Sequence, residues 1–540
     1  ALPDRNSVHL EKVPVAWLKA FLAGMWADGR WTSGQISGSI DVFTPKAGAF
    51  EVRSDLGLAD VSMETPDGLL AAAALKGRLQ LNYREKGPAQ NVDARFTVKG
   101  GELLFDRFYA VFPGTPVDIH VLARRNAGAP WQLPKIRWRD PGVLLADGTA
   151  TLDAASSVSD LDLALEFDNL ALARDRYLSG FLAPAGFSGL VLSGKLDAGL
   201  QMRAGDLSGM EARFGNVNAV DTKARFTFAG IDGDLRWTRS ETALPSKLGW
   251  QSGALFGIGL GPASYPFNSS NGELRLGQAV AIEALDGRLV LDHLRWQAPR
   301  REAGAKFQFG LTMDSLDLAS LSQRLGWPPF TGSIGGKIPS ARFQDDILTL
   351  DGGLQMNLFG GNINLKELSM ERPFGVAPTL AADVIIEDID LEPMTKVFGF
   401  GSITGRLDGR IAQLRLVDWS PAAFDARLET DRNWKGKRRI SQRAVNDISS
   451  VGGSGLVGGL QTQALKFFDD FGYERIGIGC KLKDNVCTMD GISSAGDGYI
   501  IVAGAGLPRI QVVGFRRKVD WPTLVSRLKA ATEGQAPVIQ

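Results

Sequence analysis

The stretch Leu161-Asp-Leu-Ala-Leu-Glu-Phe167 carries a large apolar side chain at every second position. Successive side chains of a β-strand point to opposite faces, so the four large apolar residues share one face while Asp162 and Glu166 point to the other. Strands of this kind build antiparallel sheets that have one apolar face and one wetted face. The stretch therefore predicts a sheet of that type.

The same alternation recurs along most of the 540 residues, separated by an unusually large number of glycines, 64 in all, as is typical of turns between short strands. With about 12 residues for each strand the chain would form about 40 strands, and at about 4.8 Å per strand one sheet would extend about 190 Å. The alternating apolar residues are the candidates for lining a lipid groove: Leu163, Leu165, Phe167, Phe226, Phe228, Phe307, Phe309, Leu311, Met356, Leu358, Val384 and Ile386.

Helices are predicted only at 15–25, 172–182, 318–325 and 392–398 before the C-terminal part, too few to cover so much sheet. An uncovered apolar face has to be closed on itself, stacked on a second sheet or filled by a molecule that is not protein. We therefore expect an all-β fold, an elongated curled antiparallel β-groove with a few short helices. Two or three separate β-sandwiches remain the alternative.

Four joints divide the chain, each an aromatic residue followed by a glycine-rich turn into a strand. They begin at Trp31, Phe187, Phe330 and Phe400 and occupy 31–38, 187–194, 330–336 and 400–405. Their unequal spacing argues against a β-helical polysaccharide enzyme, which would repeat with a constant short period. We expect repeating β-groove modules over 1–430 and an α+β cap with basic and amphipathic helices and a β-hairpin over 431–540.

The cap contains a basic run and an amphipathic segment with neighbouring phenylalanines. Cations beside an interfacial tryptophan suit the phosphates of a membrane surface. A solvated loop for the basic run and core packing for the phenylalanines are the alternatives. The candidate membrane or phosphate contacts are Arg432, Trp434, Lys437, Arg438, Arg439, Phe467 and Phe468.

The two cysteines flank a turn pair, Asp484-Asn485, which predicts a hairpin with Cys480 and Cys487 facing each other across it. Facing strand positions bring β-carbons within disulfide range, and such a bridge implies an oxidising compartment. Two reduced thiols are the alternative.

Composition excludes several other functions. Lys plus Arg and Asp plus Glu each total 60, so the net charge does not favour nucleic acid. Three histidines and two cysteines are too few for a standard zinc or haem site, and no cofactor is expected. The sequence contains no Gly-x-Ser-x-Gly, Walker or His-Glu-x-x-His motif, so no enzymatic activity is expected. No apolar run approaches the 18 or more residues that cross a bilayer.

The repeats and the tail together resemble the AsmA-like superfamily of Gram-negative envelope proteins, in particular its YdbH/TamB-like intermembrane lipid-transport branch. The repeats that carry the resemblance begin at Leu316-Asp-Leu and at Ile389-Asp-Leu-Glu-Pro. The tail is more specific, and its blocks are Arg439-Ile-Ser-Gln-Arg-Ala-Val-Asn-Asp, Phe467-Phe-Asp-Asp-Phe-Gly-Tyr-Glu-Arg-Ile, 480–491, Gly506-Leu-Pro-Arg-Ile and Val519-Asp-Trp-Pro.

This resemblance implies a periplasmic lipid-transfer bridge whose apolar groove carries phospholipid acyl chains between the inner and outer membranes. It implies contacts with both membranes, or with their proteins, at the two ends. It also implies an inner-membrane anchor in a segment that this sequence does not contain. The alternative function is a non-enzymatic envelope assembly factor or scaffold made of packed β-sandwiches that binds a protein by strand addition.

Overall fold

A computed structural model of the chain describes residues 4–18, 29–45, 48–66, 68–106, 108–153, 157–298, 304–325, 328–344, 347–373, 377–451, 455–456 and 468–532. The described residues form 36 strands, up to 17 residues long, and helices of at most 12 residues. The predicted all-β class with few short helices is confirmed.

The strands follow one another closely along the chain, and the paired strands run antiparallel. In chain order they are β1 Arg5–Pro14, β2 Arg30–Phe43, β3 Phe50–Glu64, β4 Leu70–Lys86, β5 Ala89–Phe105, β6 Phe108–Phe112, β7 Val117–Asn126, β8 Gln132–Asp140, β9 Leu144–Leu152, β10 Val158–Phe167, β11 Leu190–Arg203, β12 Asp206–Asp221, β13 Phe226–Thr238, β14 Leu244–Trp250, β15 Ser252–Leu255, β16 Ile258–Leu260, β17 Ala263–Ser270, β18 Glu273–Leu276, β19 Val280–Ala284, β20 Gly287–Gln297, β21 Lys306–Asp317, β22 Gly332–Gln344, β23 Ile347–Leu358, β24 Gly361–Glu371, β25 Thr379–Asp390, β26 Ile403–Thr404, β27 Arg406–Val417, β28 Ser420–Thr430, β29 Arg439–Ser441, β30 Gly455–Leu456, β31 Asp470–Lys483, β32 Val486–Gly491, β33 Ser493–Ala495, β34 Gly498–Gly504, β35 Gln511–Gly514 and β36 Lys518–Asp520.

The helical segments described before residue 431 lie where the sequence places them. A 3-10 turn at Val15–Leu18 is the described part of the helix predicted over 15–25, and residues 19–25 lie outside the described residues. The other segments are Leu170–Ala173, a π turn at Arg174–Leu178, Ser179–Leu182, Leu318–Leu325, Leu391–Val397, Gln442–Val451 and Trp521–Thr532.

The contacts within the chain define two compact units. Unit 1 comprises 1–256, 261–278 and 295–305, and unit 2 comprises 257–260, 279–294 and 306–540. In unit 1 the sheet runs through β1, β2, β3, β4, β5, β7, β8, β9, β10, β11, β12, β13, β14, β17 and β18. In unit 2 it runs through β21, β22, β23, β24, β25, β27, β28, β31, β32 and β36. The boundary expected near residue 430 falls inside unit 2.

The long strands are bent by β-bulges, several of which insert one extra residue in the left-handed conformation. Asp60 and Asn216 are two of these residues, with φ of 53° and 50°. The register shifts at both positions, between Leu58 and Val61 and between Phe214 and Val217. A bulge bends its strand and increases the local twist, which curls the sheet.

Glycines of the predicted joints stand opposite these bulges. Gly34 has φ of 105°, and a Cβ there would lie 2.7 Å from the carbonyl oxygen of Asp60. Gly194 has φ of 98°, and its Cβ would lie 2.5 Å from the carbonyl oxygen of Asn216. Only glycine combines this backbone conformation with so close an approach. The Gly-rich turns of the first two joints are therefore strand positions that face a bend in the neighbouring strand.

Candidate functional site

The strand register of unit 1 aligns apolar residues in a row that crosses the sheet. The row takes one residue from each of β1–β5 and β7–β13 and contains no charged side chain. We call it the Leu10–Leu235 row: Leu10, Gly38, Leu56, Leu79, Phe96, Ile119, Trp138, Ala146, Leu165, Ala198, Ala212 and Leu235.

The predicted lining residues of β10 lie on this apolar face. Leu165 belongs to the Leu10–Leu235 row, and Leu163 lies in the next row, between Gly148 and Leu200. Both are half-buried, whereas Phe167 is 7% exposed and packs in the unit 1 core. The two leucines remain available as lining, and the exposed fraction of Phe167 assigns it to the core.

An aromatic series continues the apolar surface of unit 1. Phe226 and Phe228 have ring centroids 6.2 Å apart, and the ring of Phe228 lies 4.8 Å from that of Trp250. Trp250 in turn lies 4.9 Å from Tyr265. The sequence prediction includes Phe226 and Phe228 but misses Trp250 and Tyr265. In the β14–β17 ladder Trp250 stands opposite Ala263, and Tyr265 stands opposite Leu248.

A helical segment closes one side of the apolar face in unit 1. The ring of Tyr177 packs edge-on against Trp138 at 5.6 Å, and the Tyr177 hydroxyl donates to Asp140 Oδ2 at 2.7 Å. Arg176 Nη1 donates to the same oxygen at 2.6 Å. Burial, together with the hydrogen bond to Asp140, raises the pKa of Tyr177, so its hydroxyl stays a neutral donor. These contacts fix the helical residues 170–182 against the sheet.

In unit 2 two apolar rows run in parallel across the sheet. The Leu316–Ile478 row contains Leu316, Ile334, Met356, Ile363, Ile386, Gly409, Leu428 and Ile478. The Met313–Met489 row contains Met313, Gly336, Leu354, Leu365, Val384, Ile411, Ala426, Cys480 and Met489.

The register brings the predicted residues Met356, Val384 and Ile386 together on this face of unit 2. Met356 and Ile386 are half-buried, whereas Val384 is 8% exposed and, like Phe167, belongs to the core. Leu311 stands opposite Ile338, and Leu358 stands between Gly332 and Gly361. The remaining two predicted residues, Phe307 and Phe309, have ring centroids 5.5 Å apart and extend the same face of β21. The prediction missed Ile363 and Leu365, whose alternation with Asn362 and Asn364 was the available signal.

The apolar rows are incompletely covered by protein. Met356, Ile363, Leu365 and Ile386 are half-buried rather than buried, and Leu56, Leu79 and Phe96 of unit 1 are too. The inner face of a packed sandwich would be fully buried. The rows therefore leave apolar surface that a further molecule can cover.

The opposite face of the same strands is polar and internally hydrogen-bonded. Gln355 Nε2 donates to Asn362 Oδ1 at 3.1 Å, and Asn364 Nδ2 donates to Glu387 Oε2 at 3.2 Å. A depression of about 670 Å³ in unit 1 is lined by residues of both faces, since Arg137 and Asp147 border it together with Leu163 and Leu200. Within the described ranges no group of three or more His, Cys, Asp or Glu side chains is arranged to hold a metal ion.

The C-terminal cap covers the end of the Met313–Met489 row in unit 2. Met489, at the end of the Met313–Met489 row, is 4% exposed, and the neighbouring Cys487 is 0% exposed. Trp521, at the start of the last helix, packs edge-on against Phe424 of β28 at 5.2 Å. The Met313–Met489 row is thus fully covered at Met489, whereas Ile478 and Cys480 of β31 are half-buried.

The cysteines are joined by a disulfide, with Cα atoms 5.6 Å apart. The predicted hairpin is present, with positive φ at both Asp484 and Asn485 as a type I′ turn requires. The cysteines form a diagonal pair, since Cys480 stands opposite Met489 and Cys487 opposite Leu482. The expectation that they face each other directly is therefore wrong, because each cysteine lies two residues from the residue that stands opposite the other.

The predicted membrane-contact residues have different roles in the structure. Arg438 Nη2 donates to the carbonyl oxygens of Asp431, Arg432 and Trp434, so its guanidinium is used within the loop. Arg439 pairs with Asp470. The others are distributed as follows: Arg432 and Lys437 are exposed, Trp434 is half-buried, Phe468 is 48% exposed, and Phe467 lies outside the described residues.

Comparison with protein-family models, with curated proteins and with solved structures finds no match to this chain. Among the described helices, none combines the length and the apolar character needed to cross a membrane.

Proposed function

We propose that the chain is a non-enzymatic, bridge-like lipid transfer protein whose apolar sheet faces hold phospholipid acyl chains. In this proposal it works in the periplasm, between the inner and outer membranes, and contacts those membranes or their proteins at its ends. The observation that carries the proposal is the half-buried apolar row, uninterrupted across twelve strands in unit 1 and repeated in unit 2.

The energetics of an acyl chain favour such a surface. A 16-carbon chain in water costs on the order of 12 kcal/mol, at about 0.8 kcal/mol for each methylene. One charged residue in the row would remove part of that stabilisation, and the rows contain none. A surface that only shelters methylenes needs no nucleophile, acid or base.

The incomplete burial of the rows also bears on the alternative function, a scaffold of packed sandwiches. Packed sandwiches would cover both inner faces to the extent seen at Met489 in the cap. Met356, Ile363, Leu365 and Ile386 of β23–β25 are covered less than this. The difference in burial favours a lipid-holding face over a closed scaffold.

The test is the lipid content of the purified chain. The protein is extracted with organic solvent, and the extract is quantified by mass spectrometry against the protein concentration. We expect phospholipid in near-stoichiometric or higher amount, and delipidated protein should take up a fluorescent fatty acid. Lipid-free protein that takes up no fatty acid while remaining folded would contradict the proposal.

A further inference from the structure

The loop 431–438 of unit 2 is built around its own arginine. The Arg438 guanidinium donates through Nη2 to three carbonyl oxygens of the loop, at 3.1 Å for Asp431, 2.9 Å for Arg432 and 2.8 Å for Trp434. The Asp431 carboxylate accepts the backbone N–H of Asn433 at 2.8 Å. The loop therefore has a defined conformation before any ligand is present.

This conformation presents three cations to solvent. Arg432, Lys435 and Lys437 are exposed, and no ion pair to them forms among the residues that the structure describes. The nearest acidic residues in sequence have other partners, because Asp431 accepts the Asn433 N–H and Glu429 pairs with Arg427 and Arg475. The cations are free to meet an anionic surface.

Exposed apolar side chains belong to the segments that adjoin this loop. The backbone N–H of Tyr473 donates to the carbonyl oxygen of Arg438, and the N–H of Ala505 donates to that of Gly472, so the loop and the 505–509 turn flank the same end of β31. Leu507, at the tip of that turn, is 98% exposed. Phe468, two residues before β31, is 48% exposed.

We infer that this end of unit 2 docks on an anionic bilayer surface. The cations of the loop lie against lipid phosphates, and Leu507 and Phe468 enter the headgroup region. Cations combined with exposed apolar side chains are what an anionic lipid surface attracts and retains. The inference deepens the proposed function, since it names a docking surface for a lipid carrier, but it has its own readout in vesicle binding.

The experiment measures binding of the full chain to sedimented vesicles, either pure phosphatidylcholine or phosphatidylcholine with one third phosphatidylglycerol. The triple variant Arg432→Gln, Lys435→Gln, Lys437→Gln should bind the anionic vesicles about 100-fold more weakly, at about fivefold for each cation. Leu507→Ser should weaken binding about tenfold. Added salt should weaken binding of the parent.

The matched control replaces three exposed cations of unit 1, Lys86, Lys99 and Lys247, by glutamine and makes the same change in net charge. It should bind as the parent does. Equal loss in the control, parental binding by the triple variant or by L507S, or equal affinity for neutral vesicles would each overturn the inference. Uptake of a soluble fluorescent fatty acid is measured in parallel, and its absence contradicts lipid carriage whatever the vesicles show.

Discussion

A glutamate in place of Met356 should abolish lipid binding while leaving the fold intact. Met356 is half-buried and stands between Ile334 and Ile363 in the Leu316–Ile478 row. Its neighbour Gln355 points to the polar face and is exposed. Gln355→Glu therefore adds the same charge to the same strand on the opposite face, and it is the matched control.

The size of the effect follows from the strand spacing. At about 4.8 Å between strands, an extended acyl chain passes about four methylenes over each strand. A carboxylate at Met356 would keep those methylenes in contact with water, at about 0.8 kcal/mol each, or about 3 kcal/mol in total. That corresponds to a more than hundredfold loss of affinity, at about 1.4 kcal/mol for each factor of ten.

The assay is equilibrium titration with a fluorescent fatty acid, together with lipid extraction and mass spectrometry of each variant. Met356→Leu should bind as the parent does because it preserves an apolar side chain of similar volume. Thermal unfolding separates loss of binding from loss of structure, and the melting temperatures of the two glutamate variants should differ by only a few degrees. Equal lipid binding by M356E and Q355E would refute the assignment of the rows as the lipid site.

Three further outcomes are expected. Met489→Glu should unfold the cap rather than impair lipid binding selectively, at a cost of about 3 kcal/mol in unfolding free energy because the residue is buried; a folded variant with normal melting would contradict the sealed end. Hydrogen bonds from Arg225 lower the pKa of the buried Asp221, so its stabilising contribution is present above the unfolded pKa of about 3.9 and is lost as pH falls through the folded value; D221N should lose about 3 kcal/mol at pH 7 and show a flatter acid limb in denaturant titrations. Reducing Cys480–Cys487 should lower the unfolding free energy by about 2.5 kcal/mol, the value for so short a loop, and unchanged melting under reductant would contradict this.

Alternation along the sequence was sufficient to predict the class of the fold and the chemistry of its two faces. Strand-internal runs such as 161–167 and 307–313 carry that information locally, because side-chain direction in a strand depends only on position. The conformation of the cap could not be predicted from alternation in this way. In the sequence Arg438 is one cation among several. Only the folded loop shows that its guanidinium donates to the carbonyl oxygens of its own segment.

Rows that cross many strands cannot be read from one strand, because they depend on register. Leu165 and Trp138 belong to the same row only through the intervening Ala146 of β9. A slip of one residue in the pairing of β8 with β9 or of β9 with β10 would move Leu165 out of register with Trp138 and onto the polar face. The lining residues could therefore be predicted singly, but their alignment into a continuous surface required the structure.

At the bulges the alternation of apolar and polar residues in the sequence is interrupted, but the apolar face of the sheet remains continuous. Around Ser315, which has φ of 52°, the apolar positions step from Met313 to Leu316 instead of by two. Around Asp388 they step in the same way, from Ile386 to Ile389. The extra left-handed residue absorbs the change of phase, so both sides of the bend keep their apolar side chains on one face while the strand curves. The same residue thus bends the strand and keeps the apolar face continuous.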